Sequence, residues 1–169
     1  MKRIISVVVA CLLCLSLASC AKTYKGTDEL MKKAREEIPV SDSDTIDIQY
    51  AGMSKADDNA IAWFVSGNEY QSHYYLPMEV KIKGDGSDYV FVQTYKPITD
   101  ICSDVAVLNW NRGTAFLINN SDVATVQTTF ENGETTEEVV PNDQIPYTFY
   151  TSSIPTKYVF LDAKGNEVR

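Results

Sequence analysis

Imidazole and thiol are nearly missing from this sequence. Of 169 residues one is histidine, His73, and four are cysteine; Cys11, Cys14 and Cys20 fall in the first 20 residues, which leaves Cys102 alone in the rest of the chain. No disulfide can form within residues 21–169, and a histidine-rich metal centre is excluded. A serine hydrolase would have His73 as its only imidazole base, and no G-x-S-x-G turn accompanies it. Basic residues are scarce as well, with 15 Lys and Arg against 23 Asp and Glu and a net charge of −8. Such a surface lacks the basic footprint that nucleic acid requires and disfavours lying flat on anionic lipid. The chain also lacks an uninterrupted apolar run of the ~20 residues that span a bilayer.

What the amino terminus does contain is ordered. Met1, Lys2 and Arg3 are followed by the uncharged run "IISVVVACLLCLSLASCA", which gives way at Lys22 to polar "KTYKGTDEL" with no stop-transfer cluster. A basic start, an apolar segment and small residues at its end make a secretory signal. Leu17, Ala18 and Ser19 precede Cys20, and this box resembles the lipobox of bacterial lipoproteins: an aliphatic residue, two small residues and the cysteine that receives a diacylglyceryl group. A second match, Val8 to Cys11, lies inside the apolar run, where cleavage would leave an apolar start. The resemblance covers the first 20 residues and implies removal of residues 1–19, lipidation of Cys20 and residence on the outer, extracytoplasmic face of a bacterial membrane. Two acyl chains anchor stably where one does so only marginally. The C-x-x-C spacing of Cys11 and Cys14 has no redox meaning in a removed segment.

The remaining 150 residues have the size of one domain, expected over 28–169 behind a tether at 20–27. Removal of Lys2 and Arg3, with no acid among residues 1–19, takes the net charge from −8 to −10. In "DELMKKAREEI" Leu30, Ala34 and Ile38 are four apart with Met31 alongside, which predicts an amphipathic helix over 28–38. Thr27 or Asp28 is placed to cap it and Pro39 to stop it, and the charge run is expected to be a solvated face.

From Thr45 onward helical periodicity is absent. Ten short runs rich in Val, Ile, Thr, Tyr and Phe, "TIDIQY", "AIAWFVS", "YLPMEVKI", "YVFVQTY", "VAVLNW", "TAFLINN", "ATVQTTF", "EEVV", "YTFYT" and "KYVFLD", alternate with Gly, Asn, Asp and Pro, and "SKADDNA" is expected as an acidic loop. Hairpins are expected at "GDGSD", "NRG", "ENGE" and "AKGN". The fold class is therefore mainly β: an antiparallel β-sandwich with one short N-terminal helix. The carboxyl-terminal half resembles the immunoglobulin-like β-domains common on bacterial surface proteins, without the Cys and Trp spacing of antibody domains.

Chemistry is thinly represented. Glu69 and His73 would share a face of a helix and Glu79 follows, but "YYLPMEV" reads as a strand and a zinc site needs further ligands. Asp42, Asp44 and Asp47 of "SDSDTID" resemble a calcium loop, but Ile46 stands where an oxygen is needed and the glycine is missing. No catalytic or metal site and no cofactor is expected. Aromatics are abundant, with ten Tyr, six Phe and two Trp, and Trp63, Tyr74, Tyr75 and Trp110 are the candidates for stacking on a ligand. Core and cross-strand packing accounts for most of the others. The expected function is that of a lipid-anchored, non-catalytic binding or envelope-assembly domain with a protein or glycan partner and no nucleic acid. The alternatives are an envelope hydrolase using carboxylates or Cys102 with His73, and a carbohydrate-binding module using exposed aromatics.

Overall fold

Alternating and continuous apolar runs both become strands, and the difference between them places the layers. The computed structural model describes residues 22–38, 46–67, 73–100 and 104–168. Strand β1 (Thr23–Lys25) leads into helix α1 (Gly26–Glu37), followed by β2 (Ile48–Ala56), β3 (Asn59–Ser66), β4 (His73–Lys83), β5 (Asp88–Thr94) and β6 (Ile98–Asp100). Then come β7 (Val105–Trp110), β8 (Gly113–Ile118), β9 (Thr125–Thr129), β10 (Thr135–Val139), β11 (Tyr147–Thr151) and β12 (Lys157–Leu161). The protein is mainly β, its sheets are antiparallel, and among the described residues the one helix is short and N-terminal.

The described strands form three sheets. Six strands make the largest, in the order β1-β5-β4-β3-β2, with β6 continuing the β5 side of β4; the others run β11-β8-β7 and β10-β9-β12. Strand β3, "NAIAWFVS", is apolar on both faces: Ala60, Ala62 and Phe64 pack with Leu30 and Ala34 of α1, while Ile61 and Trp63 pack with Ala106, Ala115 and Leu117 of the β7–β8 hairpin. Strand β8, "GTAFLI", repeats this one layer further on, its Phe116 and Ile118 packing with Val126 of β9 and Phe160 of β12. Continuous apolar runs are what strands covered on both sides need. Strand β9, central in the outermost sheet, alternates instead, with Val126 and Thr128 buried and Thr125, Gln127 and Thr129 turned away. The order of layers is thus helix, six-stranded sheet, β11-β8-β7, β10-β9-β12.

The helix rests on the sheet through Leu30 and Ala34, both fully buried. Neither Thr27 nor Asp28 caps it: the N-cap is Lys25, whose N–H is accepted by the Glu29 carboxylate at 2.7 Å. Its charged face is not wholly solvated. Lys33 pairs with Glu37 and lies 4.7 Å from the centre of the Phe91 ring, which lays its stem across β5. Thr23–Lys25, expected within the tether, pair with β5 and bury Tyr24. "SKADDNA", expected as a loop, is the β2–β3 hairpin, with Asp57 at φ +53° in its turn. The other four hairpin or turn signals stand where expected. Among the described residues no helix is long and apolar enough to cross a membrane.

Candidate functional site

Pro77 lies in the interior of β4, a position that lacks the N–H of an ordinary ladder residue. The ladder changes partner there: β5 pairs with Met78–Lys83 and β6 with His73–Tyr75, while Tyr95 donates its N–H to Pro77 O at 2.9 Å. Tyr95, Lys96 and Pro97 form the connection between β5 and β6. On the helix side of the sheet, cross-strand pairing then lines up Ile48, Ser66, Tyr74 and Thr99 from four strands, with Phe64 and Leu76 in the adjoining row.

This end of the sheet is where α1 stops. Its 12 residues span about 18 Å, whereas the 11 residues of β4 span about 36 Å, so one helix covers only part of the face. Beyond its last turn lies a cavity of about 500 Å³, with Ile38, Ile46, Phe64 and Leu76 among its walls. Arg35 donates to Ile46 O at 2.6 Å and ties the start of the next segment to the helix. Ser66, Tyr74, Lys96 and Thr99 bring polar atoms to an otherwise apolar lining. The size and composition are those of a small-molecule site.

Of the four aromatic candidates, only Tyr74 is exposed, at 53%, and it lines this cavity. Trp63 and Tyr75 are fully buried and Trp110 is 5% exposed. Trp63 donates through Nε1 to Ser54 Oγ at 2.9 Å, Tyr75 donates to Asp104 Oδ1 at 3.1 Å, and Trp110 meets Tyr150 edge-on at 6.3 Å. These three rings belong to the core between the six-stranded sheet and β11-β8-β7, so the four do not form an exposed strip for a sugar. The reason is that the run around Trp63 is covered on both faces, whereas a stacking platform needs one open face.

Among the described residues the buried carboxylate is Glu79, 5% exposed. Its Oε2 accepts from Gln93 Nε2 and from Tyr95 Oη, both at 2.8 Å. Burial, and then the bond to Glu79, push the Tyr95 phenol up to about 12. Both partners of the carboxylate are neutral donors, an arrangement that holds the bulge between Glu79 and Val80 in place. Among the described residues no three His, Cys, Asp or Glu side chains are grouped to hold a metal. Asp47 is exposed; Asp42, Asp44, Glu69, Cys102, Leu17, Ala18, Ser19, Cys20 and Pro39 lie outside the described residues, as does the side chain of His73.

Sequence reasoning missed the cavity. Its signal was the mismatch between a three-turn helix and long strands whose outward positions, Ile48, Phe64 and Leu76, stay apolar past the helix end. Comparison with known proteins returns no match: no protein family, curated protein or solved structure is similar to the chain.

Proposed function

We propose that the chain is a lipid-anchored domain on the extracytoplasmic face of a bacterial membrane, and that it acts by binding a ligand in the cavity beyond α1 rather than by catalysis. The cavity carries the binding half of this reading, because about 500 Å³ of largely apolar space with a few polar atoms is suited to enclosing a ligand. The anchoring half rests on the lipobox-like Leu17-Ala18-Ser19-Cys20 behind a basic and then apolar start. We read residues 105–168 as an immunoglobulin-like sandwich: β7, β8 and β11 stand as strands A, B and E, and β9, β10 and β12 as C, C′ and F. In support, Phe116 of β8 stacks on Phe149 of β11 and meets Tyr158 of β12 edge-on, at 4.4 and 5.8 Å. In this reading the unit is a scaffold behind the six-stranded sheet.

Two experiments test the two halves. Bacteria expressing the chain and grown with a labelled fatty acid should label the wild type and not Cys20→Ser; an unlabelled wild type removes the anchor. Calorimetric titration with 1-decanol, an uncharged apolar probe, should show saturable binding that Thr99→Trp, which fills the cavity mouth, abolishes. Absence of binding by the wild-type cavity to decanol and to its acidic analogues alike removes the ligand site.

A further inference from the structure

Lys96 stands at the one break in the strand ladder that borders the cavity, between β5 and β6, and it lines the cavity together with the hydroxyl-bearing Ser66, Tyr74 and Thr99. Among the described residues both ion pairs belong to Lys33 on α1, so no described carboxylate pairs with Lys96. Ile48 in the same row as Ser66, Tyr74 and Thr99, Phe64 and Leu76 in the adjoining row and Ile38 at the end of the helix add hydrocarbon to the lining. A site with hydrocarbon over most of its lining and a cation with hydroxyls beside it discriminates between ligands by polarity along their length. The apolar lining takes a chain, the hydroxyls accept or donate to a polar head, and the ammonium favours a head with negative charge.

We propose that the cavity binds a single-chain amphiphile with an acidic head group, the alkyl chain against Phe64 and Leu76 and the carboxylate or phosphate at Lys96. This assignment rests on the cavity being the ligand site, and it adds the class of ligand. A free fatty acid and a lipid phosphate present the same chemistry to Lys96: an anion at the end of an alkyl chain. Lys96 is exposed, so its charge adds selectivity and the chain supplies most of the affinity.

The test uses the full chain carrying Cys20→Ser, which cannot take an acyl group on that sulfur, titrated by calorimetry with octanoate, decanoate, decyl phosphate and 1-decanol. Lengthening octanoate to decanoate should tighten binding about tenfold, as expected for two further methylenes. Decanoate or decyl phosphate should bind about fivefold more tightly than decanol. Whichever acid binds more tightly identifies the source, fatty acid or lipid phosphate. Lys96→Gln should abolish the preference for the acids while leaving decanol unchanged, and added salt should weaken the acids only. Methyl resonances of Ile48 and Leu76 should shift with each ligand.

Equal affinity for decanol and both acids, or a preference that survives Lys96→Gln, overturns the acidic head group and leaves the cavity a neutral apolar site. Shifts confined to residues away from the cavity overturn the assignment as well. Failure of all four probes to bind overturns the cavity as a ligand site together with this inference.

Discussion

Ser54 joins three strands of two layers through one oxygen. Fully buried on β2, it accepts from Trp63 Nε1 at 2.9 Å and donates to the backbone oxygen of Phe116 at 3.1 Å. Replacing it by alanine leaves the indole N–H of Trp63 without its acceptor, and a buried group left without its partner costs about 1–3 kcal/mol. Urea unfolding of Ser54→Ala should show a loss of this order, and adding Trp63→Phe should give less than the sum of the two single effects. Tyrosines give the pH dependence at the same scale. Tyr95 and Tyr147 are both pushed up from 10 to about 12, by burial first and then by their bonds to Glu79 and Glu138. Between pH 10 and about 12 the unfolded chain releases phenolic protons that the folded chain keeps. Their contribution to stability is therefore complete below pH 10 and lost as pH rises through about 12. Alkaline unfolding followed by circular dichroism should show this fall, and Tyr95→Phe with Tyr147→Phe should lessen it, the remainder coming from Tyr50, which burial pushes up to about 12.

At the scale of elements, backbone geometry decides which turns tolerate a side chain. Gly113 closes the β7–β8 hairpin at φ +137°, where an added Cβ would stand 2.0 Å from Thr151 O on the neighbouring chain segment. Gly84, in the β4–β5 turn, has φ +59° and open space around it. Thermal unfolding should find Gly113→Ala costing about 3 kcal/mol or more, from a clash with backbone added to strain, and Gly84→Ala costing about 1 kcal/mol, from strain alone. A comparable effect of the two substitutions would contradict this account of the β7–β8 hairpin. Strands β7 and β11 were legible to the residue in "VAVLNW" and "YTFYT", because each is flanked by turn-forming or polar residues on both sides. Strands β1 and β6 were not legible: Thr23–Lys25 and Ile98–Asp100 have three residues each, too few for a period, and exist because β5 and β4 offer them a partner. The helix was legible from the four-residue spacing of Leu30 and Ala34, but its start was not, since a carboxylate one turn ahead satisfies the Lys25 N–H in place of a cap.

The whole molecule is joined through two strands that are buried on both faces. Because β3 belongs to the cores on either side of the six-stranded sheet and β8 to the cores on either side of β11-β8-β7, loss of packing in one layer is felt in the next. Phe116→Ala should cost about 3–5 kcal/mol. It should lower the midpoints of far-ultraviolet and tryptophan-fluorescence transitions together, although Trp63 and Trp110 lie in the neighbouring core; two separated transitions would show that the layers unfold independently. The cavity belongs to this scale too. No single segment encodes it, since Ile38, Phe64, Leu76 and Lys96 come from four separate parts of the chain brought together only by the order of the sheet.

By itself the sequence determined what depends on neighbours along the chain: strand periodicity, the helical stripe, four of the turns, an acidic surface, and the signal-like amino terminus that sets the expectation of a lipid anchor. Tertiary structure alone decided what depends on neighbours across it. Whether a continuous apolar run such as "AIAWFV" turns aromatic rings outward or buries them is set by how many faces of its strand are covered, and local periodicity is the same in either case. Trp63 is therefore core and not a platform, and the open apolar surface lies instead where a helix of about 18 Å leaves part of a sheet, whose strand β4 is about twice as long, uncovered.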